Sequence, residues 1–136
     1  QITKHKETMR IDHVALFCKD IEMMKIFFVK YFHAIVGKNH ISKRTGQTNC
    51  FLSFTDGGSR LELMTYPDKI SQQAKMERQS MAHLSISAGN RDNVNLLTKR
   101  LGKDGFQILS SPRITGDGYY ESSVMTIDSL IIEITE

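Results

Sequence analysis

The chain has 136 residues, 40% of them hydrophobic and 24% charged, which suits one ordinary domain or two small modules and excludes disordered, collagen-like and coiled-coil classes. A chain of this length buries roughly two thirds of its unfolded surface, so it needs neither a metal nor a disulfide merely to fold. The net charge of +3 comes from 18 basic residues scattered among 15 acidic ones, without the basic stripe and interleaved aromatics of a nucleic-acid surface.

The first residues, "QITKHKET" at 1–8, are polar and aperiodic, and are expected to be an expression scar or a frayed tail. From Met9 the order of elements is strand ("MRIDHVALFC"), helix ("IEMMKIFFVKYFHAI"), a strand near 38–43, then two strands ("TNCFLSFTD" and "SRLELMTYP"). Ile21, Met24, Phe28, Tyr31, Phe32 and Ile35 recur at three- and four-residue spacing, which predicts the helix, and Asp20 is its N-cap. The glycines of "TDGGSR" supply the hairpin between the last two strands. A polar stretch at about 67–79, "PDKISQQAKMERQ", reads as a linker that is partly helical.

From about residue 80 the same order returns: strand ("MAHLSISA"), helix ("RDNVNLLTKRLGK"), then strands near 106–110, 118–127 and 129–135. Asn90 caps this helix, Val94, Leu97 and Leu101 form its apolar stripe, and "GKDG" ends it. The domain, 9–136, is therefore an α+β tandem of βαβββ modules, about 9–66 and 80–136, with a period near 70 residues.

Register singles out four polar residues. His13 stands opposite the face of Val14 and Leu16, and His83 opposite that of Leu84 and Ile86. Glu62 alternates with Leu61 and Leu63, and Glu133 with Ile132 and Ile134. Glu62 follows His13 by 49 residues (62 − 13) and Glu133 follows His83 by 50 (133 − 83), so each module offers one histidine from its first strand and one glutamate from its last. Any one of them would be an ordinary strand residue. Two glutamates facing each other in a concave sheet would repel unless a cation lay between them, and imidazole nitrogen with carboxylate oxygen suits Ni, Co, Zn, Mn or Fe.

The patterns "DHVAL", "RLELM", "AHLSIS" and "TGDGYYES" followed by "IIEIT" resemble the vicinal oxygen chelate superfamily, the glyoxalase, bleomycin-resistance and dioxygenase fold, over residues 9–135. The resemblance implies paired βαβββ modules forming a cupped mixed sheet, with helices on its outer face, around one divalent metal ion. It implies a ligand set of His13, Glu62, His83 and Glu133, with Glu133 as the mobile catalytic carboxylate and Glu62 as the one that stays bound. The reaction implied is that of a lactoylglutathione lyase-like lyase or isomerase on a small substrate chelating through adjacent oxygens, by enediolate stabilisation and carboxylate proton transfer.

An Fe(II) extradiol-type dioxygenase using His13, His83 and Glu133, or a non-catalytic drug-binding module, are the alternatives on the same fold. At positions where glyoxalase I enzymes commonly place donors for glutathione, this chain has Phe17, Tyr66 and Gln79, so glutathione is not the expected handle. The turn before the last strand is the short "TIDSL", where the family commonly has a Pro- and Gly-containing turn. Phe17 and Tyr66, together with Arg113, Tyr119 and Tyr120 of the loop that borders the cup in the family, are candidate substrate contacts.

His33 and His40 read as surface histidines, and "TGDGYY" lacks the strand-to-helix context of a phosphate cradle. Cys18 and Cys50, inside apolar strand patterns, read as reduced buried thiols rather than nucleophiles, which suits a cytoplasmic setting. No apolar run is long enough for a membrane helix. A homodimer is expected, because an open cup leaves strand edges that a two-fold partner covers.

Overall fold

The computed structural model of the chain describes residues 11, 13–66, 83–116 and 118–136. The expected tail at 1–8, the linker at 67–79 with Gln79, and the start of the "MAHLSISA" strand lie outside them. The chain divides into two compact units, 1–69 and 70–136.

In the first unit, β1 (His13–Cys18) leads to α1 (Ile21–Phe32), then to β2 (Ile35–Val36), β3 (His40–Ile41), β4 (Thr48–Ser53) and β5 (Arg60–Thr65). The sheet order is β1-β5-β4-β2, with β3 also on β4, and the β1–β5 pair is parallel while the others are antiparallel. Asp20 caps α1 by accepting the Met23 N–H at 3.1 Å. The buried face of α1 carries Met24, Phe27 and Phe28, and the sheet buries Cys18, Cys50, Leu52 and Leu63.

The helix was expected to run to Ile35, yet it stops at Phe32. His33 takes a left-handed conformation (φ 55°), the Ala34 N–H closes onto the Phe28 carbonyl, and Ile35 becomes an exposed residue of β2. The strand expected near 38–43 is the two-residue β3, while β2 begins at Ile35, the last residue expected to be helical. The β4–β5 hairpin turns at Gly57 (φ 70°), whose N–H donates to the Phe54 carbonyl.

The second unit repeats the order with β6 (Leu84–Ser87), α2 (Arg91–Lys103), β7 (Gln107–Ile114), β8 (Tyr120–Met125), a short 3-10 turn (Ile127–Ser129) and β9 (Ile131–Thr135). Its sheet order is β6-β9-β8-β7, again with a parallel pair, β6–β9, between the first and last strands. Asn90 caps α2 through the Asn93 N–H at 2.8 Å, and Gly105 (φ 98°) follows its end. Val94, Leu101, Val124, Ile132 and Ile134 are fully buried. Leu97, expected on the apolar stripe, is only half-buried, and Thr98 is buried in its stead.

Strand β7 runs four residues beyond its expected end at 110. Pro112 is accommodated because β7 is an edge strand and its register against β8 shifts between Ser110 and Arg113. Both cysteines are free and buried, as the apolar patterns required. Among the described residues no helix is long and apolar enough to cross a membrane.

Candidate metal centre

Parallel pairing sets the geometry of the first unit. Ala15 lies opposite Glu62 and His13 lies opposite Arg60, so His13 and Glu62 are diagonal neighbours on the face that the helix does not cover. The His13 Nε2 stands 3.8 Å from Glu62 Oε1. In the second unit Ser85 lies opposite Glu133, and His83, two residues before Ser85, reaches Glu133 Oε2 with its Nε2 at 3.2 Å. In each unit the histidine thus precedes by two residues the position paired with the glutamate. The carboxylates are the better covered partners, with side chains 16% and 24% exposed against 40% and 44% for the imidazoles.

The donor chemistry fits a divalent cation. Ligand bonds of about 2.1 Å meeting at roughly 90 to 110° put two ligand atoms about 3.0 to 3.4 Å apart. The His83–Glu133 contact falls within that span, and the His13–Glu62 contact, at 3.8 Å, lies beyond it. Among the described residues neither unit gathers three or more metal-ligating side chains; each presents a pair.

The surroundings of the two pairs differ. In the first unit the Asn49 amide donates from Nδ2 to Glu62 Oε2 at 2.8 Å. Phe51, opposite Glu62 on β4, meets the His13 ring edge-on at 5.2 Å and carries the Arg60 guanidinium 4.3 Å above its centroid. Phe17 and Tyr66 stack on each other at 4.9 Å and 20°. Asn49 and Phe51 were not singled out in the sequence, although alternation against buried Cys50 and Leu52 puts both on the Glu62 face.

Tyr120 shares its strand face with buried Ser122 and Val124, its hydroxyl donates to the Asn95 side chain of α2, and Arg91 covers its ring at 4.9 Å. Its side chain is therefore engaged by α2, on the face opposite Glu133. Tyr119 is exposed, and Arg113, opposite Glu121 in the β7–β8 ladder, donates to Ser110 Oγ at 3.3 Å.

Comparison with known proteins agrees with this architecture. A structure of glyoxalase I from Zea mays superposes with a TM-score of 0.72 at 16% identity, covering 93% of this chain and 44% of that one. A possible glyoxalase from Bacillus cereus gives 0.67 at 21% identity, covering 95% of this chain and 100% of that one. At these identities the likeness is one of fold. Among curated proteins, the uncharacterized protein YwkD of Bacillus subtilis (strain 168) is 29% identical over 82 residues, 60% of this chain and 63% of that protein. The chain thus matches less than two thirds of the length of that curated relative and less than half of the maize enzyme. The model of the glyoxalase/bleomycin resistance protein/dioxygenase superfamily matches residues 10–128, and the chain, with its duplicated βαβββ order and two parallel strand pairs, belongs to that superfamily.

Proposed function

We propose that the protein is a divalent-metal-dependent lyase or isomerase of the glyoxalase type, acting on a small substrate that chelates through two adjacent oxygens. The observation that carries this reading is the repetition of one His–Glu pair, in one register, in both modules. In this reading His13, Glu62, His83 and Glu133 hold one cation, with the modules supplying two ligands each, within one chain or across a two-fold dimer. The cation, when bound, supplies positive charge for the negative charge that develops on the substrate oxygens. Glu133 accepts the proton from the substrate carbon and returns it to the neighbouring carbon. His13, His83 and Glu62 remain fixed and orient the reacting face.

Glutathione is not the expected handle. Phe17 and Tyr66 present a stacked aromatic pair where a carboxylate would need charged or amide donors, and a charge-assisted hydrogen bond of about 1.5 to 3 kcal/mol is forgone.

The test is calorimetric titration of metal-free protein with Ni, Co and Zn, alongside Glu62→Gln and His83→Ala, followed by assay of methylglyoxal with glutathione. One cation per pair of modules, lost in both variants, with weak turnover that Glu133→Gln abolishes, is expected. A protein that binds no cation, or variants that bind as tightly as the parent, would overturn the site. Efficient turnover of the glutathione adduct would overturn the substrate claim alone.

A further inference from the structure

The two His–Glu pairs are equal in register and unequal in what holds them, and one difference falls at a donor position on the neighbouring strand. On β4, Asn49 pairs with Met64, two residues beyond Glu62; on β8 the position paired two residues beyond Glu133, with Thr135, is Glu121. Asn49 and Glu121 therefore occupy the same place in the two repeats. From that place the Asn49 amide reaches Glu62 Oε2 at 2.8 Å. An ionised carboxylate at Glu121 has no proton to donate, and among the described residues the Glu133 carboxylate meets only the His83 imidazole.

We propose that Asn49 is a positioning residue that makes Glu62 the stationary carboxylate of the centre and, by its replacement with Glu121 in the second module, leaves Glu133 as the one that moves. The proposal rests on the metal reading above. A carboxylate that ligates through one oxygen can still rotate about its last bond. A hydrogen bond to the other oxygen removes that freedom and holds Oε1 toward His13. Glu62 is also the less exposed carboxylate, at 16% against 24%, as a group held against the sheet would be. Glu133 lacks such an anchor and can swing away from the ligand position without breaking a second bond.

The test compares cobalt(II) binding by the parent, Asn49→Leu, Asn49→Ala and Asn49→Gln, by calorimetry and by the visible absorption of the bound cobalt, with melting of the metal-free proteins in parallel. Loss of an outer hydrogen bond to a ligand is expected to weaken cobalt binding by about 10- to 100-fold in the Leu and Ala variants, with altered band intensity. Asn49→Gln, which keeps an amide donor, recovers most of the loss. Parent-like affinity and spectrum in folded Asn49→Leu and Asn49→Ala, while Glu62→Gln still abolishes binding, would overturn the role of Asn49 and leave the metal centre standing. A merely structural Asn49 would lower the metal-free melting temperature while the folded protein bound cobalt as before, and that too overturns it. A parent that binds no cobalt removes both readings together.

Discussion

The buried hydroxyls of Thr98 on α2 and Ser122 on β8 allow a quantitative test of how the second module is held together. They lie 2.6 Å apart, 4% and 1% exposed, and Thr98 Oγ1 also donates to the Val94 carbonyl at 2.6 Å. With its single proton committed to Val94, Thr98 must accept, so Ser122 is the donor of the pair. Thr98→Val then strands a buried hydroxyl proton on Ser122, at about 1 to 3 kcal/mol, while the Val94 carbonyl keeps its place in the helix ladder. Ser122→Ala removes one neutral hydrogen bond and strands only an acceptor lone pair, at about 0.5 to 1.5 kcal/mol. The double variant leaves no stranded group, so it should cost no more than Thr98→Val alone, which makes the pair non-additive by roughly 1 kcal/mol. Urea unfolding of the four proteins measures this through the midpoint, provided the slope is unchanged. Strictly additive costs, or Ser122→Ala as the more damaging single change, would refute the assignment of donor and acceptor.

Two further outcomes follow from local geometry. Ser129 sits at φ 59° beside Asp128 at φ 56° in the turn before β9, so Ser129→Gly should stabilise the fold by about 0.5 to 1 kcal/mol after the entropy of glycine is subtracted; an unchanged or lower melting temperature would show that this conformation costs nothing. On α1 the Lys25 ammonium at 2.9 Å, with the Asn39 amide at 3.3 Å, holds the Glu22 carboxyl below the usual carboxylate range. Since the folded pKa is the lower one, its small contribution is complete above the unfolded value and is lost as pH falls through the folded one. Carboxyl-carbon NMR should place the Glu22 midpoint below the usual glutamate range, and Lys25→Met should bring it back; an ordinary midpoint in the parent contradicts the contact.

Much of the fold was legible because two periods are hard to counterfeit. Alternation of Leu61 and Leu63 about Glu62, and of Ile132 and Ile134 about Glu133, dictates which face each glutamate takes, and the buried and half-buried pattern of β5 and β9 follows it. What escaped were events that local pattern does not encode. His33 adopts a left-handed conformation that a reader expects of glycine, so the apolar stripe of α1 ran past the true helix end to Ile35. The strand expected near 106–110 runs on to Ile114 as β7, because only the sheet order reveals that it is an edge where Pro112 removes no needed hydrogen bond.

The candidate site divides along the same line. A His and a Glu on adjacent parallel strands become diagonal neighbours once the order of elements places the first strand beside the last, and this order was written twice in the chain. The Asn49–Glu62 bond depends instead on the antiparallel register of β4, which the length of the hairpin turn sets and which no residue type announces. Tyr120 was chosen by its place in a loop, whereas alternation with Ser122 and Val124 assigns its side chain to the helix side. A duplicated fold makes paired ligands conspicuous because duplication repeats them. Residues that make one pair act differently from the other must break the repeat, so they are found by superimposing the registers of the two modules, where Asn49 and Glu121 fall on one position and differ in whether they can donate a hydrogen bond.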